Sequence, residues 1–332
     1  MKKLLALLAA GLLTSPPARA AAPSPAQALL KTRDPFYKQH VVADGLLIAG
    51  SEKVSKHALG EVAHLIRKML ARRPDLLKNL VERNVYVGVM AYNEMTTDMP
   101  ECRGMSPWVN KRARGFGGNP VICAEENVLC FRGDPWRGES IFIHEFAHAV
   151  HGALARLDER FNARLGQLHQ KTKQTGRFRG YGMSNPGEFW AEGVQSWFDC
   201  NRRGGLEALG PKGRPICHIN TREQLNKHLP ALAELIDEAF GQNRWVYVPV
   251  AKRLNQPHLR GYDPAKAPTF RWPKKVIEAY NRIEAEKAKK RKQQKDKATR
   301  KQPRDSADRK DGTAAATSEP ARKRTTGDPR PD

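Results

Sequence analysis

No stretch of the 332 residues approaches the roughly 20 consecutive apolar side chains that a membrane-spanning helix needs, so none is expected. Acid is scarce beside base: 35 Asp and Glu stand against 58 Lys and Arg, a formal net charge of +23. Cysteine is scarce too. Cys102, Cys123, Cys130, Cys200 and Cys217 are odd in number and cannot all pair, and the gap from Cys123 to Cys130 is not the short spacing of a zinc ribbon. The Gly115-Phe116-Gly117-Gly118 run lacks both a helix-opening glycine pattern and a following Lys-Ser/Thr, which excludes a phosphate loop and leaves a flexible loop near a cleft. No internal repeat is present. Apolar residues still make up 39% of the chain, enough for one large domain or two small ones, so a fully disordered chain is excluded.

The base excess is uneven. Lys287 to Asp332 hold sixteen basic and seven acidic residues, few apolar ones and no aromatic ring for stacking on bases. Residues 286–332 therefore read as a disordered basic tail, suited to anionic cell-surface polymers rather than to nucleic acid. Residues 21–286 keep +11, a balance that favours acidic substrates or an anionic surface. At the other end, Met1-Lys2-Lys3, the apolar stretch Leu4 to Leu13 and Ala18-Arg19-Ala20 spell a cleavable signal peptide over residues 1–20. The expectation is a secreted or periplasmic protein with one domain over residues 21–285. An oxidising compartment suggests a disulfide bond, and Cys200 with Cys217, flanking a Gly- and Pro-bearing loop, is the preferred pair.

Hydrophobic spacing predicts a strand over Val41 to Ala49, a helix from Lys56 to Arg72 capped by Ser55, and a strand over Val85 to Ala91. That order suggests a parallel βαβ unit. The loop-rich stretch from Asn93 to Gly138 holds a short edge strand over Asn127 to Phe131, of the kind an extended substrate pairs with. Helices are expected from Ser140 to Leu154, through Gln167 and Lys171, and from Pro186 to Phe198. Thr221 and Gln224 form a capping box ahead of a helix to Phe240, Trp245 to Val250 is extended, and a last helix starts near Pro273 and dissolves at Lys289-Lys290-Arg291-Lys292.

The sharpest motif is His144-Glu145-Phe146-Ala147-His148. Residues four apart share one helix face, so both imidazoles reach a single zinc ion with Glu145 beside it. A catalytic zinc keeps three protein ligands and one open position. A metzincin needs Gly and His three and six residues beyond His148, where this chain has His151 and Leu154, so that class is excluded. Downstream, Glu188 and Glu192 lie four apart on one face of an apolar helix. Glu188 is the candidate third ligand, and Glu192 is placed to accept the outer ring N–H of His144. Asn185, Pro186 and Glu188 also spell a helix cap, which leaves a purely structural role open for Glu188. His151 is read as structural, and Asp98 and Glu101 as solvated loop carboxylates.

Together, His144-Glu145-x-x-His148, Glu188-Phe-Trp-Ala-Glu192 and Tyr181 seven residues before Glu188 resemble the glutamate-zincins typified by anthrax lethal factor. There the motif is HEFGH, then EFFAE, with a tyrosine seven residues ahead. The resemblance covers about Gly138 to Phe198. Across Asp98 to Asp199 the chain also resembles a group of secreted zincin-like proteins, through Lys111 to Gly115, Glu125 to Asn127 and Trp190 to Phe198. Thermolysin-like enzymes share the logic more distantly. The resemblance implies an α+β zincin-like metallopeptidase: a small mixed sheet, an HExxH active-site helix and a helical C-terminal half. It implies one zinc ion on His144, His148 and Glu188, with Tyr181 as an oxyanion donor. Two neutral imidazoles and one carboxylate leave a zinc site at net +1, so that Glu145 takes a proton from a polarised water and passes it to the leaving amine of a peptide or protein substrate. The alternative is an exported binding protein that keeps the scaffold and adheres to anionic surfaces with little hydrolysis. A zinc amidase acting on peptidoglycan peptides shares the same chemistry.

Overall fold

The structure, a computed structural model, describes residues 24–301, with side chains through 294; the expected signal peptide and most of the basic tail lie outside the described residues. After a short helix α1 (Pro25–Lys31) with a Ser24–Gln27 capping box, the first strand region is a hairpin, not one strand. Asp44 and Gly45 split it into β1 (Gln39–Ala43) and β2 (Leu46–Gly50), antiparallel with Ala43 opposite Leu46. Both turn residues have positive φ, 48° and 97°, a conformation that Asp-Gly adopts at low cost in two-residue turns. Ser55 accepts the His57 N–H and opens α2 (Lys56–Met69); α3 (Pro74–Glu82) follows, and β3 (Tyr86–Met90) returns parallel to β2, as the βαβ reading expects.

Past one turn of helix, α4 (Val109–Arg112), strand β4 (Val121–Ala124) joins parallel to β3 and completes a mixed sheet of order β1-β2-β3-β4. The edge strand therefore lies upstream of the expected Asn127 to Phe131, most of which turns into and out of α5 (Glu125–Val128). The reason is polar: Glu125 accepts the Ser55 and Tyr92 N–H groups, Glu126 pairs with Arg114, and Asn127 Oδ1 accepts the Ile141 N–H at 2.8 Å. Strands β2 and β3 are buried on both faces, which is why they read as unbroken apolar runs rather than alternating ones. Leu46, Ile48, Val87 and Val89 face the larger core with α2 and α3; Leu47, Ala49, Tyr86 and Met90 face a smaller one with Tyr37, Met99 and Cys102.

Helix α6 (Ile141–Leu157) packs beneath β4, with Ser140 accepting the Ile143 N–H as its cap. Helix α7 (Phe161–Gln174), strand β5 (Phe178–Arg179) and helix α8 (Pro186–Trp197) follow, then β6 (Glu207–Leu209) and β7 (Pro215–His218), which with β5 make a small antiparallel sheet. The capping box at Thr221 and Gln224 forms, but its helix is two: α9 (Arg222–His228) and α10 (Pro230–Ala239) break at Leu229, which Pro230 forces out of helical geometry. Trp245 to Pro249 form no strand. Helix α11 (Lys274–Lys301) runs on through Lys289-Lys290-Arg291-Lys292, since Ala, Lys, Arg, Gln and Glu all favour helix. The chain divides into two units between Asn281 and Arg282, and the described part of the second is the continuation of α11. No helix among the described residues is long and apolar enough to cross a membrane.

All five cysteines are free thiols, so the expected Cys200–Cys217 bond is absent. Cys200 is buried at the end of α8, where its carbonyl accepts the Ser140 N–H, whereas Cys217 is carried off on β7, paired opposite Ala208. Between α4 and β4, Arg114 forms a fully buried ion pair with Glu126 of α5, with Nε and Nη2 donating to the two carboxylate oxygens at 2.6 and 2.9 Å and the guanidinium over the Phe270 ring. Removing one partner of such a pair strands a charge in the interior. Arg114→Met is expected to cost ~3–5 kcal/mol in urea unfolding, and adding Glu126→Leu to recover most of it.

Candidate metal centre

The site is built on two helices locked together by a tryptophan. Phe142, Phe146, Ala149 and Val150 bury one side of α6, leaving His144, Glu145 and His148 on the side that floors an open cleft of about 770 Å³. Trp190, wholly buried on α8, donates its indole N–H to the Ala147 carbonyl at 2.8 Å and stacks on Phe240. That contact turns Glu188, half a turn earlier, toward the histidines. Its Oε2 lies 3.0 Å from His144 Nε2 and 3.5 Å from His148 Nε2. Ligating atoms of His144, Glu145 and His148 all lie within 4.8 Å of one another. Asn185 caps α8 by accepting the Glu188 N–H at 3.0 Å, while the Glu188 side chain points away to the imidazoles, so capping and convergence are not alternatives.

Glu192 stands one atom away from the place expected of it. Its Oε1 is 3.7 Å from His144 Nδ1, and its Oε2 accepts Asn201 Nδ2–H at 2.8 Å. The group that does accept the Nδ1–H is Gln195 Oε1, at 3.0 Å; its amide Nε2 in turn donates to the Ser140 carbonyl. Gln195 lies seven residues after Glu188, two helical turns along the same face, a spacing that marks it in the sequence once Glu188 is taken as facing the site. With Nδ1–H held by Gln195, the His144 ring is fixed with Nε2 facing Glu188, where it donates to the carboxylate when protonated and would offer its lone pair to a metal ion on losing that proton.

Tyr181 borders the cleft 6.2 Å from the His144 ring, in a short 3₁₀ turn (Tyr181–Met183) whose first two N–H groups donate to the Gly204 and Gly205 carbonyls. Partial burial and the Glu188 charge push its hydroxyl up to about 12, so it stays a donor at neutral pH. His151 turns away and bonds Asn162 Oδ1 at 2.8 Å; Asp98 caps a turn at the Met95 N–H, and Glu101 accepts the Tyr37 and Tyr86 hydroxyls. The Gly115 to Gly118 run is packed rather than flexible: Phe116 exchanges both backbone hydrogen bonds with Ile122, and a Cβ at Gly117 would meet the His148 side chain at 2.5 Å. Only glycine lets this strand-like segment lie so close over the imidazole.

Burial and charge oppose each other here. Glu145 is raised by burial above the ordinary carboxylate range. Burial also presses on Glu188, but its bonds to both imidazoles outweigh it and hold the carboxyl well below that range. Burial pulls His144 down, yet the bond to Glu188 and the charges of Glu145 and Glu192 win, raising it to about 10. Two imidazole nitrogens and a carboxylate oxygen converging on one point, with a second carboxylate alongside and the outer nitrogen held by an amide, form a donor set that fits zinc.

No family profile and no curated protein matches the chain. Among solved structures it is similar to the Pro-Pro endopeptidase from Paenibacillus alvei, at 15% identity and a TM-score of 0.34, over 59% of this chain and 97% of that one. The chemistry of the site therefore stands on its own geometry.

Gln195→Leu is expected to lower zinc affinity ~10–100-fold, measured by competition with a chromophoric chelator, because the His144 ring loses its anchor. In chelator-treated protein the Glu188–His144 pair contributes stability that is lost as pH falls through the depressed Glu188 value. It is lost again as pH rises from 6.5 through about 10, where His144 deprotonates. Glu188→Gln should therefore lower the urea midpoint more near pH 6 than near pH 10; an equal loss at both would refute the pairing.

Proposed function

We propose that the protein is an exported, zinc-dependent peptidase of the gluzincin type. The observation that carries this reading is the convergence of Glu188 Oε2 on the Nε2 atoms of His144 and His148, with Glu145 on the same cleft floor. His144, His148 and Glu188 would hold the ion, which when bound supplies Lewis-acid polarisation and brings the pKa of a water in the site to about 7.

The side chains divide the remaining work. Glu145, its pKa raised by burial, accepts the proton of the attacking water and returns it to the departing amine. Tyr181 keeps its proton and stands beside Glu188, placed to donate to the carbonyl oxygen as negative charge builds there. Gln195 keeps the His144 ring in one tautomer through the cycle. The open cleft admits an extended chain, and in the segment above α6 that bounds it Gly115, Gly117 and Gly118 add no side chain to fill it.

Casein or a peptide library, assayed with and without chelator and after zinc restoration, tests the reading. Glu145→Gln is expected to lose ~10²–10⁴-fold in kcat while retaining zinc by elemental analysis, and Tyr181→Phe ~10²–10³-fold with little change in zinc content. Wild type and Glu145→Gln behaving alike would favour a non-hydrolytic binding protein on the same scaffold.

A further inference from the structure

The charges lining the cleft do not balance. Glu188 belongs to the metal centre and Glu145 to proton transfer; Glu139 is paired with Arg202 at 2.5 Å, and Glu192 is bonded by Asn201. Arg114, also on the wall, is spent on Glu126. Two guanidinium groups remain, Arg112 at the end of α4 and Arg203 on the loop after α8. Both line the cleft, both are exposed, and neither makes a side-chain hydrogen bond or ion pair among the described residues.

Each is linked to the Tyr181 part of the cleft. Arg203 precedes Gly204 and Gly205, whose carbonyls hold the backbone of Tyr181 and Gly182. Arg112 acts electrostatically on the Tyr181 hydroxyl itself. With zinc at +2 the charges of Glu188 and Glu145 would be offset, and Glu192, held only by the neutral Asn201 amide, is the one carboxylate left against two arginines, so the cleft stays net positive. An unpaired guanidinium presents a planar fork that fits a carboxylate with two parallel hydrogen bonds. A cleft of one sign with low-dielectric walls also concentrates ligands of the other.

Resting on the peptidase reading, we propose that Arg112 and Arg203 form an acidic-residue subsite, and that the preferred substrate is a peptide segment carrying Asp or Glu close to the scissile bond. The rim arginines hold the carboxylate while the backbone of that segment lies across the floor.

Zinc-loaded Glu145→Gln protein provides a readout without turnover. Fluorescein-labelled peptides that differ only in Asp, Asn or Lys at each of the positions flanking a central bond are titrated by anisotropy, and the same peptides are offered to wild type for cleavage. An Asp peptide is expected to bind about 10-fold more tightly than its Asn twin, with the Lys peptide weakest. Adding Arg112→Gln and Arg203→Gln should bring Asp and Asn within about 2-fold, through loss at Asp alone, and added salt should do the same. Thermal melting matched to wild type shows that the variants fold. Equal binding of the three peptides, or an Asp preference that survives both substitutions, overturns the subsite. So does heparin binding that exceeds every peptide and falls in the same variant, which reassigns the arginines to a polyanion. Cleavage of Asn and Asp peptides alike leaves the peptidase standing without the subsite; Asp-selective binding with no cleavage by wild type leaves the subsite and removes the peptidase.

Discussion

The indole of Trp190 against the Ala147 carbonyl is the contact on which the site depends. It fixes α8 on α6 in rotation as well as in distance, because one buried donor meets one particular carbonyl of the HExxH helix. An unsatisfied indole N–H in that interior would be costly, and the Phe161 ring edge-on and the Phe240 ring stacked hold the Trp190 ring between them. Rigidity there becomes registry at Glu188, two residues away, which must reach both imidazoles at once. Tyr181 then stands beside Glu188, Gln195 holds His144 and Asn201 holds Glu192.

Holding so many acids together needs compensation, and all but Glu145 find a side-chain partner nearby. Glu126 takes Arg114, Glu139 takes Arg202, Glu192 takes Asn201, and Glu188 takes the two histidines. Buried charge of this kind stabilises little in net terms, since desolvation cancels most of the attraction, but it penalises every arrangement in which a partner is missing. Each pair thus disfavours arrangements of the cleft in which its partner is missing, and the two rim arginines are the guanidinium groups there without such a partner among the described residues.

The long excursion after α10 serves the sheet half. Asn243 donates to the Lys68 and Met69 carbonyls at the end of α2, and Arg253 and His258 both bond the wholly buried Glu61 in that helix. These contacts join segments nearly two hundred residues apart. Arg222 lies 4.3 Å over Trp197 at the end of α8 and donates to the Trp197 carbonyl, fastening the helical half in turn. The chain thus closes on itself with charged side chains bonded to backbone ends and buried acids, leaving the cleft open between.

Local rules fixed what depends on neighbours in sequence. The i, i+4 spacing of His144 and His148, the caps at Ser55, Asn185 and Thr221, and the apolar runs of β2 and β3 are consequences of helix and strand periodicity, and the sequence alone decides them. Asp44-Gly45 and Pro230 were equally local signals, and the hairpin and the split helix follow from them. Choices between distant partners were not decided that way. Whether Glu192 or Gln195 reaches His144 Nδ1 turns on 0.7 Å, and Cys200 and Cys217 part because pairing with β6 holds β7, and Cys217 with it, opposite Ala208. Nothing in spacing told Arg112 and Arg203 from the chain's many other basic residues. Only the three-dimensional arrangement, in which Arg114 and Arg202 meet carboxylates, leaves these two visible as arginines of the cleft with no side-chain partner among the described residues, because pairing is a property of distance through space and not of separation along the chain.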